Sequence, residues 1–424
     1  MSAKSFRETT LDTHRLHPET LMLGYGYDPN LSEGSVKPPV FLTSTFTSPS
    51  ADAAREFFDI ATGRAAGHNG VDGGLIYARY NHPNAQIVEE RLALFEGADV
   101  GAVFSSGMAA IATAMLAHCR PGDVILHTEP VYGGTTALLK KVLPEYGIRA
   151  VPVTDADDPA AMRAAIARAE AVGRLAMIFL ETPSNPLIRL ADIGLAAELA
   201  TECARRGGHR PIVAVDNTLL GPIFQNALGC GADLSIYSLT KYVGGHSDLI
   251  AGGVLGHRAA MTPVRALRPL LGGNLDPHSC WMLSRSLETV TLRMTRAAEN
   301  ARIIAERLVA HPAVGEVHFP ALAAAGSVQR RLYEAQCSGA GALMSFDVGS
   351  REAAFRFLDR LGVVKLAVSL GGTESLACHP ATTVLSGLPA AEREAIGVGE
   401  GLIRLSVGIE HVDDLLADIE RALA

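Results

Sequence analysis

A chain of 424 residues, 48% hydrophobic and 19% charged, can bury a large core, and its length points to two or three domains. Its formal net charge of −8, with no runs of Lys or Arg, argues against nucleic acid or an anionic membrane as partner. No apolar stretch approaches the roughly 18 residues of a membrane span, and the first twenty residues lack the apolar core of a secretory signal. The cysteines (Cys119, Cys203, Cys230, Cys280, Cys337, Cys378) form no C-x-x-C pair, so neither a metal site nor a disulfide framework is expected, and a reducing, cytoplasmic setting is.

Residues 1–75 hold the turn signals GYGYDPN, VKPPV and GHNGVDGG around one extended piece, Val40–Phe46, a pattern that predicts an arm or lid without a core of its own. From 76 to 270 helical and strand patterns alternate. NAQIVEERLALFEG places Val88, Leu92 and Phe95 at helical spacing and stops at Gly97. Short apolar runs follow (GAVFSSG, DVILHTEP, LAMIFLETP, PIVAVDNT, ADLSIYS), separated by helical stretches such as MAAIATAMLAH and PAAMRAAIARAEAVG. Buried strands alternating with helices predict an α/β fold with a mostly parallel sheet covered on both faces. Residues 271–424 begin with a long helical pattern, SLETVTLRMTRAAENARIIAERLVAH, and continue with the strand-like runs GALMSFDVG and LIRLSVG; a smaller C-terminal α/β domain fits them.

Polar residues follow these apolar runs repeatedly, and parallel strands would gather them along one sheet edge, where such folds bind ligands. Ser105-Ser106-Gly107-Met108 opens an Ala-rich helix, whose exposed amides and dipole suit a phosphate, although a plain N-cap is the commoner role of Ser there. Ser238 and Thr240 could add hydroxyls to the same anion. Asp216, at the end of Ile212-Val213-Ala214-Val215, should be desolvated and in need of a partner: a turn amide, an arginine or a pyridinium nitrogen. Lys241 lies between Thr240 and the turn Gly244-Gly245; a lysine in such a place is either solvated or a desolvated amine able to act as nucleophile and base. A Schiff-base lysine, an acid for the ring nitrogen and a phosphate cradle are the set that pyridoxal phosphate requires.

With VDNT upstream of SLTKYVGGHSDLIAGG, and matches from GYGYDP to RLSVGIE, nearly the whole chain resembles the Cys/Met-metabolism family of fold-type-I pyridoxal phosphate enzymes. The resemblance implies a large cofactor-binding domain over 76–270 and a small domain over 271–424. Lys241 would carry the cofactor covalently, Asp216 would keep its ring nitrogen protonated, and Ser106, Gly107, Met108, Ser238 and Thr240 would grip its phosphate. Tyr132, in PVYGGT, would stack on the ring and serve as acid or base near the leaving group. Tyr77 and Arg79, in YARYNHP, would reach the phosphate of a neighbouring subunit, which implies a homodimer with shared active sites, commonly paired into a homotetramer. Arg404 would clamp the carboxylate of an amino-acid substrate, with Ser369 and Asn185 beside it.

Departures from the family pattern bear on the leaving group. Methionine γ-lyases typically carry Cys after the Tyr-Gly pair, where this chain has Gly134; cystathionine γ-lyases usually have an acidic residue where Val368 stands; and the common HPASMTHS reads His379-Pro380-Ala381-Thr382-Thr383-Val384-Leu385-Ser386 here. The expectation is a γ-lyase acting on a four-carbon amino acid with a thioether or oxygen-linked γ substituent, methionine and canavanine being candidates. A γ-replacement enzyme of the cystathionine γ-synthase or O-acylhomoserine sulfhydrylase kind is the alternative, and a non-catalytic pyridoxal phosphate protein is the alternative from another class.

Overall fold

The computed structural model describes residues 6–62, 64–65 and 74–424; the turn signal GHNGVDGG, apart from its last glycine, lies outside the described residues. Near the N-terminus, β1 (Thr10–Leu11) and β2 (His14–Arg15) form a small hairpin. A helix that the sequence reading did not place, Ala51–Ala61, starts where Ser50 Oγ accepts the amide of Ala53 at 3.1 Å. Val40–Phe46 forms no strand within the chain. Among the described residues its one ladder contact is the bridge from Thr45 to Tyr77, because no strand lies alongside to take up its backbone groups.

The large sheet comprises β3 (Val100–Phe104), β4 (Asp123–Thr128), β5 (Arg149–Val153), β6 (Arg174–Glu181), β7 (Ile212–Asp216), β8 (Leu234–Tyr237) and β9 (Gly252–Gly256), in the order β3-β9-β8-β7-β6-β4-β5. β4 to β8 are mutually parallel, and β9 runs against both its neighbours, so β3 points the same way as β4 to β8. Side chains alternate between the faces, as a strand's two-residue period requires. Ile125, Phe179, Ala214 and Ile236 pack against Ile111, Ala114 and Met115 of the helix Gly107–His118. Val124, Leu126, Ile178, Val213 and Val215 pack against Met162 and Ile166 of Pro159–Val172 and Leu199 of Ile193–Gly207. The mostly parallel, doubly covered sheet therefore stands as the sequence predicts.

Two strands of this sheet were not legible in the sequence. β5 (RAVPV) is a half-exposed edge strand in which Pro152 is tolerated. β9 (GGVLG) is fully buried yet Gly-rich, because a Cβ on Gly252 would lie 2.1 Å from the carbonyl oxygen of Ser106.

A second sheet contains β10 (Val317–His318), β11 (Leu343–Asp347), β12 (Lys365–Leu366), β13 (Leu376–Cys378) and β14 (Leu402–Ser406), in the order β10-β11-β14-β13-β12. The long helical pattern from Ser286 to His311 forms one helix, Val290–Val309, and its first two residues end a separate helix, Pro277–Leu287. They part at Glu288-Thr289, where the Ser286 carbonyl accepts instead from the amide of Thr289 (3.2 Å) and from Arg293 Nη2 (2.9 Å). Ala301, Ile304 and Leu308 of the second helix share one core with Phe346, Leu405, and Val88 and Leu92 of the helix Pro83–Glu96, which ends at Gly97 with φ +66°. Among the described residues no helix is long and apolar enough to cross a membrane.

Candidate active site

Because β3, β4, β6, β7 and β8 point the same way, their carboxyl ends bring Ser106, Tyr132, Asn185, Asp216 and Lys241 to one edge of the sheet. At the β3 end, Ser106 caps the helix Gly107–His118, its Oγ accepting the Ala109 amide at 3.0 Å and keeping its own proton available to a ligand. Gly107 is required here, since a Cβ would approach Ser238 Cβ to 2.9 Å. The helix N-terminus and the turn after β8 thus form one cradle with amides and hydroxyls facing an anion. Thr240 belongs to the cradle's frame: its Oγ1 donates to the Ala251 carbonyl (3.1 Å) and accepts the Ala251 amide (2.9 Å).

Asp216 is 8% exposed. Its Oδ1 accepts from both the hydroxyl (2.5 Å) and the amide (3.2 Å) of Thr218, whose Oγ1 in turn accepts the Ser238 amide at 2.8 Å. Burial raises its pKa, and the Thr218 donors act against that rise. Lys241 Nζ donates to Ser369 Oγ at 2.8 Å. Burial first and the Arg404 charge second push its pKa down to about 8, so roughly a tenth of the amine is free near neutrality and most of it just above pH 8.

Arg404, on β14, is 3% exposed and forms no ion pair among the described residues. Its Nη1 donates to Asn185 Oδ1 at 3.2 Å and its Nη2 to the Ser369 carbonyl at 2.9 Å. Ser369, at φ +88°, therefore meets the lysine through its hydroxyl and the arginine through its carbonyl. A buried guanidinium held only by neutral acceptors is a strong site for an anion, a carboxylate above all. Tyr132 is 48% exposed at the head of the short helix Gly133–Ala137. A Cβ on Gly134 would stand 2.6 Å from Tyr132 Cε1 and 3.0 Å from Met108 Sδ, so Gly134 leaves the floor on which the Tyr132 ring rests. A Cβ on Gly133 would meet the Val384 carbonyl oxygen at 3.1 Å, which brings the unusual segment Thr382–Leu385 against the same turn.

The single chain does not bring Tyr77 and Arg79 to this cluster. Arg79 Nη1 donates to the Pro269 carbonyl at 3.0 Å, its guanidinium lies 5.7 Å from the Tyr77 ring centre, and no hydrogen bond or ring contact among the described residues joins the pair to Lys241. Val368 is 55% exposed. Three residues that shape the site carry no assigned role in the sequence, although Glu181 and Thr218 are among the polar residues that follow its apolar runs. Thr218 bridges Asp216 to Ser238. Glu181 ends β6 and accepts the Tyr132 amide at 2.6 Å. Arg293 donates to the carbonyls of Tyr242 (2.8 Å) and Val243 (3.2 Å), fixing the turn after Lys241. Glu181 could have been suspected, as a carboxylate closing the apolar run LAMIFLE; Arg293 sits on an unremarkable amphipathic helix and left no signal.

The donor set fits pyridoxal phosphate: a desolvated amine, a buried carboxylate one strand away, and a cradle in which any side chain at Gly107 would collide. This arrangement on this sheet order defines a fold-type-I pyridoxal phosphate enzyme. The chain belongs to the Cys/Met metabolism PLP-dependent enzyme family, whose model matches residues 19–424. It is 38% identical over 407 residues to L-methionine gamma-lyase of Pseudomonas putida, covering 95% of this chain and 96% of that one. It is 36% identical over 393 residues to O-succinylhomoserine sulfhydrylase of Pseudomonas aeruginosa, with 92% of each covered. The crystal structure of cystathionine gamma-lyase from Lactobacillus plantarum complexed with L-serine superposes with a TM-score of 0.83 at 33% identity, covering 96% of this chain and 98% of that chain.

Proposed function

We propose that the protein is a γ-lyase that expels a thioether- or oxygen-linked substituent from a four-carbon L-amino acid, methionine and canavanine being candidate substrates. The observation that carries this reading is the Lys241–Ser369–Arg404 chain: the buried guanidinium can hold an α-carboxylate while the amine that must reach Cα hangs from the same residue. A planar fork binding the carboxylate fixes the rotation of the substrate about its Cα. When bound, pyridoxal phosphate supplies an electron sink for negative charge at Cα. Asp216 keeps a proton on the ring nitrogen, and Ser106, Gly107, Met108, Ser238 and the turn framed by Thr240 hold the phosphate. Lys241 Nζ, poised near pH 8, takes the Cα proton. Once it has passed that proton on, Lys241 would also take the proton that leaves Cβ, and Tyr132 would give a proton to the departing γ atom.

Elimination is favoured over replacement by the methionine γ-lyases among the relatives, and Val368, where an acidic side chain would suit cystathionine, weakens the cystathionine reading. Gly134 and Thr382–Leu385, packed around the Tyr132 turn, are the residues that would set the leaving group. Residues 1–75 would act as the arm, 76–270 as the cofactor-binding unit and 271–424 as the small domain. Tyr77 and Arg79 would complete the site of a second copy in a homodimer or homotetramer, which agrees with the exposed Leu31, Val36 and Leu42 of the N-terminal segment.

Purified enzyme given methionine, canavanine, cystathionine and an activated homoserine ester, with and without cysteine, tests the reading. Formation of 2-oxobutanoate or homoserine without a thiol supports it. Product that needs cysteine would turn the assignment to γ-replacement.

A further inference from the structure

Glu181 has no part in the chemistry described above, yet it occupies the middle of the site edge. It stands opposite Asp216 in the parallel register of β6 and β7 and is 5% exposed. Among the described residues it forms no ion pair. Its Oε2 accepts the Tyr132 amide at 2.6 Å, and the Asn185 amide lies near enough to its carboxylate to favour the charged form. Its own amide donates to Oγ1 of Thr128, the last residue of β4, at 2.9 Å. Asn185 then accepts from Arg404 at 3.2 Å. One side chain thereby ties together the segment that leaves β4 toward Tyr132 and the segment that leaves β6 toward the guanidinium.

We propose that Glu181 is a positioning residue that, through two backbone amides, sets Tyr132 on the cofactor's face and Asn185 beside the carboxylate-binding Arg404. The proposal rests on the roles given above to Tyr132 and Arg404. A carboxyl group buried without a cation is costly, and an apolar side chain would serve β6 equally well as packing. Burial and the Asp216 charge hold the Glu181 carboxyl well above the usual carboxylate range. The Thr218 hydroxyl and amide stabilise charge on Asp216, so the pair can share one negative charge with Asp216 as its main bearer.

The test uses holoenzyme of Glu181→Ala and Glu181→Gln, with Glu181→Met replacing the alanine variant if that one does not fold. Two readouts are taken: circular dichroism of the bound-cofactor absorption band, and its spectral titration with a straight-chain L-amino acid that has no γ leaving group. Removing the acceptor should retain the cofactor, alter the dichroic band and weaken amino-acid binding about tenfold or more. Glu181→Gln, which keeps an acceptor oxygen, should recover most of both. An unchanged band and affinity in Glu181→Ala or Glu181→Met overturns the proposal, and so does an equal loss in Glu181→Gln. Neither readout involves expulsion of a substituent, so failure of the γ-elimination assay would leave the result interpretable.

Discussion

Replacing Gly134 by alanine is a sharp probe of the site because the structure sets both the direction and the size of the disturbance. The new Cβ would lie 2.6 Å from Tyr132 Cε1 and 3.0 Å from Met108 Sδ. Carbon atoms in contact sit about 3.5–4.0 Å apart, so the Tyr132 ring must move by about 1 Å. Tyr132 is 48% exposed and free to swing outward, and Met108 can change rotamer, so the strain relaxes by displacement and not by unfolding. Residue 134 lies in the helix Gly133–Ala137, where alanine is intrinsically better than glycine by about 1 kcal/mol, so the melting temperature should hold or rise. Catalysis should respond differently. A misplacement of about 1 Å in a group that must meet the reacting atoms can cost about a hundredfold, or about 2.7 kcal/mol of transition-state stabilisation. Steady-state kinetics and a thermal melt on the same holoenzyme make the comparison. A kcat/KM within about threefold of wild type, with the cofactor spectrum unchanged, would refute the claim that Gly134 supports the ring.

Further outcomes follow from neighbouring residues. In the cofactor-free protein, burying the charged Lys241 destabilises the fold below pH 8 on the order of 3 kcal/mol; the penalty is relieved as pH rises from about 8 toward 10.5, because the unfolded chain alone then holds the proton. Denaturant melts of wild type and Lys241→Met should therefore converge over that window, and a constant difference would contradict the lowered pKa. Arg404→Lys keeps the charge and loses the fork, so KM should rise about a hundredfold with little change in stability, read from initial rates and a melt. Arg293→Leu strips donors from the Tyr242 and Val243 carbonyls, while Ser286 keeps the Thr289 amide; at about 1–3 kcal/mol for each buried acceptor left unpaired, the protein should lose several degrees in its melt and bind cofactor more weakly. Gly107→Ala should lower both pyridoxal phosphate affinity and the melting temperature of the apo-protein, since its Cβ meets Ser238 Cβ at 2.9 Å and Cα at 3.0 Å.

Local signals carried much of the fold. Val88, Leu92 and Gly97 mark a helix by spacing and by a residue that accepts φ +66°, and the runs before Asp216 and Ser238 are apolar because both faces of their strands are covered. β9 escaped because its glycines answer to a neighbour: Gly252 has no side chain so that Ser106 can approach, and nothing in GGVLG announces that distant contact. Val40–Phe46, expected as an extended piece, pairs only through the Thr45–Tyr77 bridge, since an extended segment becomes a strand only where another strand takes its hydrogen bonds.

Where hydrophobic period and turn residues were plain, the sequence marked the strands and helices in chain order and the chemical types at their ends, because these are local properties. It placed Lys241, Asp216 and the Ser106–Met108 turn among the candidates. Only the tertiary structure decided their company. β14 delivers Arg404 to the Asn185 amide oxygen and the Ser369 carbonyl, from which the Lys241 amine also hangs, and β6 sets Glu181 opposite Asp216. Those meetings join residues separated by as many as 219 positions, and they arise because β3 to β8 point the same way and β14 of the second sheet brings Arg404 to their carboxyl ends.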